Sequence, residues 1–165
     1  MNIAEIEGAG KEILALLRDY SHDPRERREL RIDPVVYGFF QGRFENMSRQ
    51  HYVRLHGRAH PQRIDFRFGG NNPTVIEFAA RPPNGQQELY GSQNRSELRK
   101  LTRVVPSRAR SRVLLLLDMV DHPIQLQNLK PTYDAQNSGP GHFDRHSVRV
   151  IYVHRRLSYN FLWRP

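Results

Sequence analysis

Residues 63–80 read RIDFRFGGNNPTVIEFAA and give the clearest indication of how this chain folds. Its first six residues alternate between charged and apolar side chains, which is the period of a half-buried β-strand. The apolar face holds Ile64, Phe66 and Phe68, and the opposite face holds Arg63, Asp65 and Arg67. Residues 69–73 (GGNNP) are a strong turn signal. The next segment, residues 74–80, is therefore predicted to pair back as the second strand of an antiparallel hairpin.

The segments after the hairpin predict a crossover connection. A Pro/Gly/Gln loop over residues 81–87 leads to a predicted helix, Ser92 to Val104, with Ser92 as its N-cap and Pro106 closing it. Residues 112–120 contain Val-Leu-Leu-Leu-Leu, the apolar run of a strand buried on both faces. A strand, a helix and a buried strand in this order predict two parallel neighbouring strands.

The remaining segments complete a single predicted α/β domain. Helical spacing of apolar residues predicts a helix over residues 2–20, followed by a charged connection over residues 21–32. Asp33-Pro34 predicts a helix start, with an apolar face to about Ser48 and a short strand from Tyr52 to His56. The C-terminal predictions are a short helix within residues 122–134, a loop over 135–141, and strands over 147–154 and 157–163.

Composition limits the class of protein. The 165 residues carry 26 Lys plus Arg against 17 Asp plus Glu, a net charge of +9, and 23 of the cations are Arg. The apolar share of 38% is enough for a core and excludes a wholly disordered chain. The longest apolar run, residues 113–117, is far below the ~20 residues of a membrane helix, so no membrane association is expected. The absence of cysteine excludes disulfides and favours a cytoplasmic location.

Two carboxylates, Asp65 and Glu77, make the hairpin the candidate functional site. Glu77 stands among apolar residues, and alternation puts Glu77, Ala79 and Arg81 on one face of their strand. If Asp65 faces the same way on the neighbouring strand, the two carboxylates can share a divalent cation. The alternative for Asp65 is a solvent-facing carboxylate paired with Arg63 or Arg67. Glu77 must in either case reach solvent or a cation, because burying it alone is costly.

The hairpin resembles that of the PD-(D/E)XK nuclease superfamily, in which an Asp, a turn and a Glu/Asp-x-Lys triplet lie on adjacent strands. The resemblance covers residues 33–120 and includes the order of helix, three strands, helix and strand. It implies a restriction-endonuclease-like core, a central mixed sheet of four to six strands flanked by helices. Residues 1–32 would precede this core, and residues 121–165 would add closing strands. It also implies an Mg²⁺- or Mn²⁺-dependent nuclease, DNA being the favoured substrate, with Asp65, Glu77 and the Phe78 carbonyl as metal ligands.

The chain departs from that pattern at Ala79, which stands at the lysine position of the triplet. Lys100 is the first candidate for a relocated cation, and helical spacing places it on one stripe with Gln93 and Glu97. Arg81 is the second candidate. The alternative is a catalytically inactive domain that binds nucleic acid or a protein partner. A third acid, which the superfamily often takes from its first helix, would be Glu45 or Glu12.

Clustered arginines predict a nucleic-acid-binding surface. Charge concentrated on one helix and its exit is typical of phosphate binding. The predicted contacts are Arg81, Arg95, Arg99, Arg103, Arg108, Arg110 and Arg112. The competing interpretation is a solvated basic surface on an unrelated small α/β domain, in which Asp65 and Glu77 would lie apart. A homodimer would suit cleavage of two strands.

Overall fold

A computed structural model describes residues 2–20, 29–53, 55, 60–71, 73–83, 89–105, 108–138 and 146–165. The helices are α1 (Ile3–Tyr20), α2 (Glu29–Arg43), α3 (Arg95–Thr102) and α4 (Leu126–Asp134), the last followed by a short 3-10 turn, Ala135–Ser138. The strands are β1 (Met47–Val53), β2 (Gln62–Phe68), β3 (Thr74–Arg81), β4 (Ser111–Asp118), β5 (Val148–His154) and β6 (Ser158–Trp163). The fold is thus α/β, as predicted.

Within the described residues, six strands form one mixed sheet in the order β1-β2-β3-β4-β5-β6. The pairs β1–β2, β2–β3 and β5–β6 are antiparallel, whereas β3–β4 and β4–β5 are parallel. Both the antiparallel hairpin and the parallel pair joined through α3 are therefore confirmed. The predicted helix within residues 122–134 and the two C-terminal strands are confirmed as α4, β5 and β6.

Helices cover both faces of the sheet, and each face has its own hydrophobic cluster. Apolar residues of α1 and α2 pack with Phe66, Ile76 and Leu115 on one face. Residues of α3 and α4 pack with Val75, Ala79 and other strand residues on the opposite face. The central strand β4 is buried from Arg112 to Asp118, as expected of a strand covered on both sides. No described helix is long and apolar enough to cross a membrane.

The predicted start of α2 is wrong. The helix begins at Glu29, so Pro34 lies inside it instead of at its first position. Ile32, Val36 and Phe40 are buried one turn apart, and this stripe extends the helix upstream of the Asp33-Pro34 signal. Most of the charged connection, residues 21–28, lies outside the described residues.

The predicted boundary between α2 and β1 is also wrong. The helix ends at Arg43, before Ser48, and β1 begins at Met47, before Tyr52. Asn46 has a φ of 58°, a left-handed conformation that Asn tolerates better than most residues. This turn lets Met47 pair with Phe68 as a strand residue, although its spacing also suits a helix face. Of the predicted strand 52–56, Arg54 and His56 lie outside the described residues.

Candidate functional site

The site begins where β2 separates from β3. Their ladder covers Phe66–Ile76, Arg67–Val75 and Phe68–Thr74, and the next pair in this register would be Asp65 and Glu77. There the Phe78 backbone N–H donates instead to the Asp65 carboxylate, at 3.1 Å. Ile64 packs into the α3/α4 cluster, whereas Phe66 packs on the α1/α2 side, so the predicted single apolar face of β2 breaks at Asp65.

The two carboxyl groups of the hairpin lie close enough for a hydrogen bond between their side chains, although the regular β2–β3 pairing ends at Phe66 and Ile76. Glu77 is 1% exposed. Burial, the Asp65 charge and a hydrogen bond between the two carboxyl groups raise the Glu77 pKa well above its ordinary value of 4.5. The arrangement in which Asp65 and Glu77 face separate solvent is therefore not what this chain adopts.

Lys100 supplies a cation to this carboxyl pair. Its Nζ lies 2.6 Å from Glu77 Oε1 and 2.7 Å from Glu97 Oε2. Although burial opposes it, the Glu77 carboxylate raises the pKa of the Lys100 ammonium, so Lys100 stays charged. The lysine therefore bridges an acid on β3 and an acid on its own helix.

Helix α3 reaches Glu77 because of its packing on the sheet. Leu98, Leu101 and Thr102 are its buried residues, and the two leucines join the same cluster as Ala79. Ala79 follows Glu77 by two residues on this face of β3. A small residue there leaves the adjoining space to α3, and Lys100 lies one position before the buried Leu101. Lys100, predicted as the relocated cation from its position on the helix, thus lies beside Glu77.

The hairpin offers carboxylate and carbonyl oxygens, which are the types of atom that a hard divalent cation takes as ligands. Carboxylate and backbone carbonyl oxygens are the ligands that Mg²⁺ and Mn²⁺ prefer. The N–H and C=O of one strand residue point to the same edge, so the Phe78 carbonyl faces the gap that β2 leaves at Asp65. The described residues hold no ready group of three or more His, Cys, Asp or Glu ligands. A cation here would therefore use two carboxylates, a carbonyl and water.

Other predicted members of the site lie elsewhere. Gln93 precedes α3, which starts at Arg95 and not at Ser92, and its side chain is exposed beside Ser92. Glu12 pairs with Arg43 at 2.7 Å, on helices that cover the opposite face of the sheet. Glu45 is exposed in the turn before β1.

Sequence reasoning placed Glu97 on one helical stripe with Lys100 but did not predict that it would be the second acid on that lysine. The only signal was its position three residues before Lys100, a spacing at which helical side chains meet.

Two predicted phosphate contacts, Arg81 and Arg112, are engaged in interactions within the chain. Arg112 is 9% exposed and its guanidinium donates to the Val104 carbonyl, with Nε at 3.0 Å. Arg81 makes a bidentate pair with Asp118 of β4, at 2.8 and 2.5 Å, at the end of the strand beyond Glu77. Its parallel register opposite Asp118 explains this pairing, and Arg81 cannot then be the relocated cation.

The remaining arginines are better placed for an anionic partner. Arg95, Arg99 and Arg103 are partly exposed on α3 and its C-cap, and Arg95 donates to Gln136 at 2.9 Å. Arg108 and Arg110 are exposed in the segment that leads from α3 to β4. A basic surface therefore lies on the same side of the sheet as Glu77.

Comparisons with models of protein families, with curated proteins and with solved structures found no match to this chain.

Proposed function

We propose that this chain is a metal-dependent nuclease that hydrolyses phosphodiester bonds of nucleic acid, with DNA as the favoured substrate. The observation that carries the proposal is the convergence of Asp65, Glu77 and Lys100 at one point of the hairpin. The resemblance to the PD-(D/E)XK superfamily, which rests on the hairpin motif, supports it. In this proposal Lys100 takes the role of the motif lysine, whose position in the triplet is occupied by Ala79.

The residues present would hold Mg²⁺ or Mn²⁺ at Asp65, Glu77 and the Phe78 carbonyl. When bound, such an ion supplies an activated water and neutralises charge on the phosphate. Lys100 is charged and acts as an electrostatic group, not as a proton acceptor. Its ammonium can orient the attacking water and offset the charge that builds on the phosphoryl oxygens. In the net reaction, the water oxygen forms a new bond to phosphorus and the water gives up a proton, while one phosphorus–oxygen ester bond breaks and the departing oxygen takes up a proton.

A second candidate is an inactive domain that binds nucleic acid or a protein partner. The contacts of Lys100 with Glu77 and Glu97 favour it, because a lysine can neutralise buried acids without any metal ion. Under this alternative the carboxyl pair is structural and the arginines alone carry the function.

Cleavage assays separate the two candidates. Plasmid, single-stranded DNA, branched DNA and RNA are incubated with Mg²⁺, with Mn²⁺ or with EDTA. The nuclease proposal expects metal-dependent cleavage that Asp65→Asn and Glu77→Gln each abolish, whereas Glu12→Gln, an exposed acid on the opposite face, leaves it unchanged. Cleavage that survives both hairpin substitutions removes this site from the mechanism, and binding without cleavage favours the second candidate.

The cellular context is part of the proposal. A chain without cysteine suits a reducing cytoplasm, and a homodimer would suit cleavage of both strands of a duplex.

A further inference from the structure

A basic patch lies at the turn end of the hairpin, apart from the arginines of α3. Arg67 occupies the same face of β2 as Asp65, two residues farther along the strand. Its Nη2 donates to the Gly70 carbonyl, at 2.9 Å, so the guanidinium lies over the β2–β3 turn.

The segment after α3 comes to the same turn. The Arg110 N–H donates to the Pro73 carbonyl at 2.8 Å, which joins this segment to the start of β3. Arg108 is anchored through its own N–H to the Val105 carbonyl at 2.8 Å. Both arginine side chains are exposed. The backbone of Arg110 is thus tied to the turn over which Arg67 lies, and Arg108 precedes it by two residues with its side chain also exposed.

Two of these arginines, Arg67 and Arg108, act on a common neighbour. Burial, then Arg67 and then Arg108, lowers the pKa of His51 on β1. Among the described residues, no carboxylate forms an ion pair with Arg67, Arg108 or Arg110. Like charges gathered without an acidic partner repel each other, so this surface is suited to an anion.

We propose that Arg67, Arg108 and Arg110 form a phosphate-binding patch that holds the nucleic-acid backbone next to the hairpin carboxylates. The proposal rests on the proposed nuclease function and adds the path of the substrate. The rise of a strand, ~3.4 Å per residue, separates Arg67 from Asp65 by about 7 Å along β2. A phosphate held at Arg67 would then be close to the one that reaches Asp65 and Glu77. Guanidinium forks suit phosphate oxygens better than they suit a single carbonyl.

Binding of a short fluorescein-labelled DNA duplex in EDTA tests the patch independently of cleavage. The triple variant Arg67→Gln, Arg108→Gln, Arg110→Gln removes three contacts, so the slope of log affinity against log salt shrinks by about 2.7. The control triple replaces Arg43, Arg155 and Arg156, which are exposed elsewhere, by Gln and removes the same charge from the +9 total. We expect its slope to change much less.

The outcomes decide between the patch and its alternatives. Equal slope changes in the two triples, or an unchanged slope in the first, overturn the patch, as does a wild-type chain that does not bind DNA. Displacement of DNA by poly-glutamate at matched charge concentration would mean that an acidic protein is the occupant, and this also overturns the proposal. If the patch triple loses binding while the wild type never cleaves, the patch stands and the nuclease function fails.

Discussion

Replacing Lys100 by Met tests how much its ammonium contributes to the free energy of unfolding and to cleavage. Met keeps the length and helix propensity of the side chain but removes the ammonium. The change leaves Glu77, whose side chain is 2% exposed, without its cation. We therefore expect the variant to be less stable than wild type and to lose cleavage.

The size of the effect follows from burial. Breaking a buried ion pair typically costs about 3–5 kcal/mol. Lys100 keeps 19% of its side chain exposed, and burial and Asp65 raise the Glu77 pKa even with Lys100 in place, so protonation of Glu77 already weakens the pair in the wild type. Both factors reduce the loss, so we expect the free energy of unfolding to fall by about 2–3 kcal/mol. The rate of cleavage should fall by about 10²–10³, as on loss of one preorganised electrostatic contact.

The assay is a double-mutant cycle by urea denaturation with wild type, Lys100→Met, Glu77→Gln and the double variant. A coupling energy of about 1.5 kcal/mol or more is expected for groups in contact. Lys130→Met with Asp134→Asn gives a matched control, an exposed pair on α4 with a 2.5 Å contact, whose expected coupling is about 0.3–0.5 kcal/mol. A Glu77–Lys100 coupling no larger than that of the control pair would mean that these two groups do not stabilise each other more than an exposed pair does.

Three further outcomes are expected. Because the Glu77 pKa is raised in the folded chain, wild type should lose stability as pH rises above about 4.5, by at most about 1.4 kcal/mol per pH unit. Glu77→Gln should flatten this pH dependence of the free energy of unfolding, measured from denaturation curves. The same pH dependence in both proteins would argue against a raised Glu77 pKa. Adding Ala79→Lys to Lys100→Ala returns a cation to the face of β3 that carries Glu77, so part of the metal-dependent cleavage should return. A double variant that is as stable as wild type but inactive would mean that a lysine at position 79 cannot substitute for Lys100. Arg112→Met should lower the free energy of unfolding by about 1–3 kcal/mol, because the Val104 carbonyl loses its buried donors. The slope of log DNA affinity against log salt should stay unchanged. A reduced slope would mean that Arg112 belongs to the binding surface.

The hairpin and the crossover could be predicted because local signals and long-range packing agree there. GGNNP specifies a turn, and the run of leucines in β4 has no stable place other than a strand covered on both sides. The region from α2 to β1 could not be predicted in the same way. Met47 is compatible with a helix face and with a strand, and its pairing with Phe68 decides the matter through a contact distant in sequence.

The part of the candidate site that depends on strand alternation and helical spacing could be predicted from the sequence. Alternation placed Glu77 and Ala79 on one face, and helical spacing placed Glu97 near Lys100. The break of β2 at Asp65 has no local signature, because it depends on the Phe78 N–H bonding to a side chain instead of continuing the ladder. The burial of Arg112 was likewise hidden, since charge alone does not show which arginines face solvent.

Titration calorimetry with Mn²⁺ measures whether Asp65 and Glu77 together hold a divalent cation. We expect heat for one ion per chain in the wild type, its loss in Asp65→Asn and in Glu77→Gln, and its retention in Glu45→Gln, which changes an exposed acid of the same chain. Wild-type protein that gives no heat, or hairpin variants that bind the ion as the wild type does, would contradict this expectation.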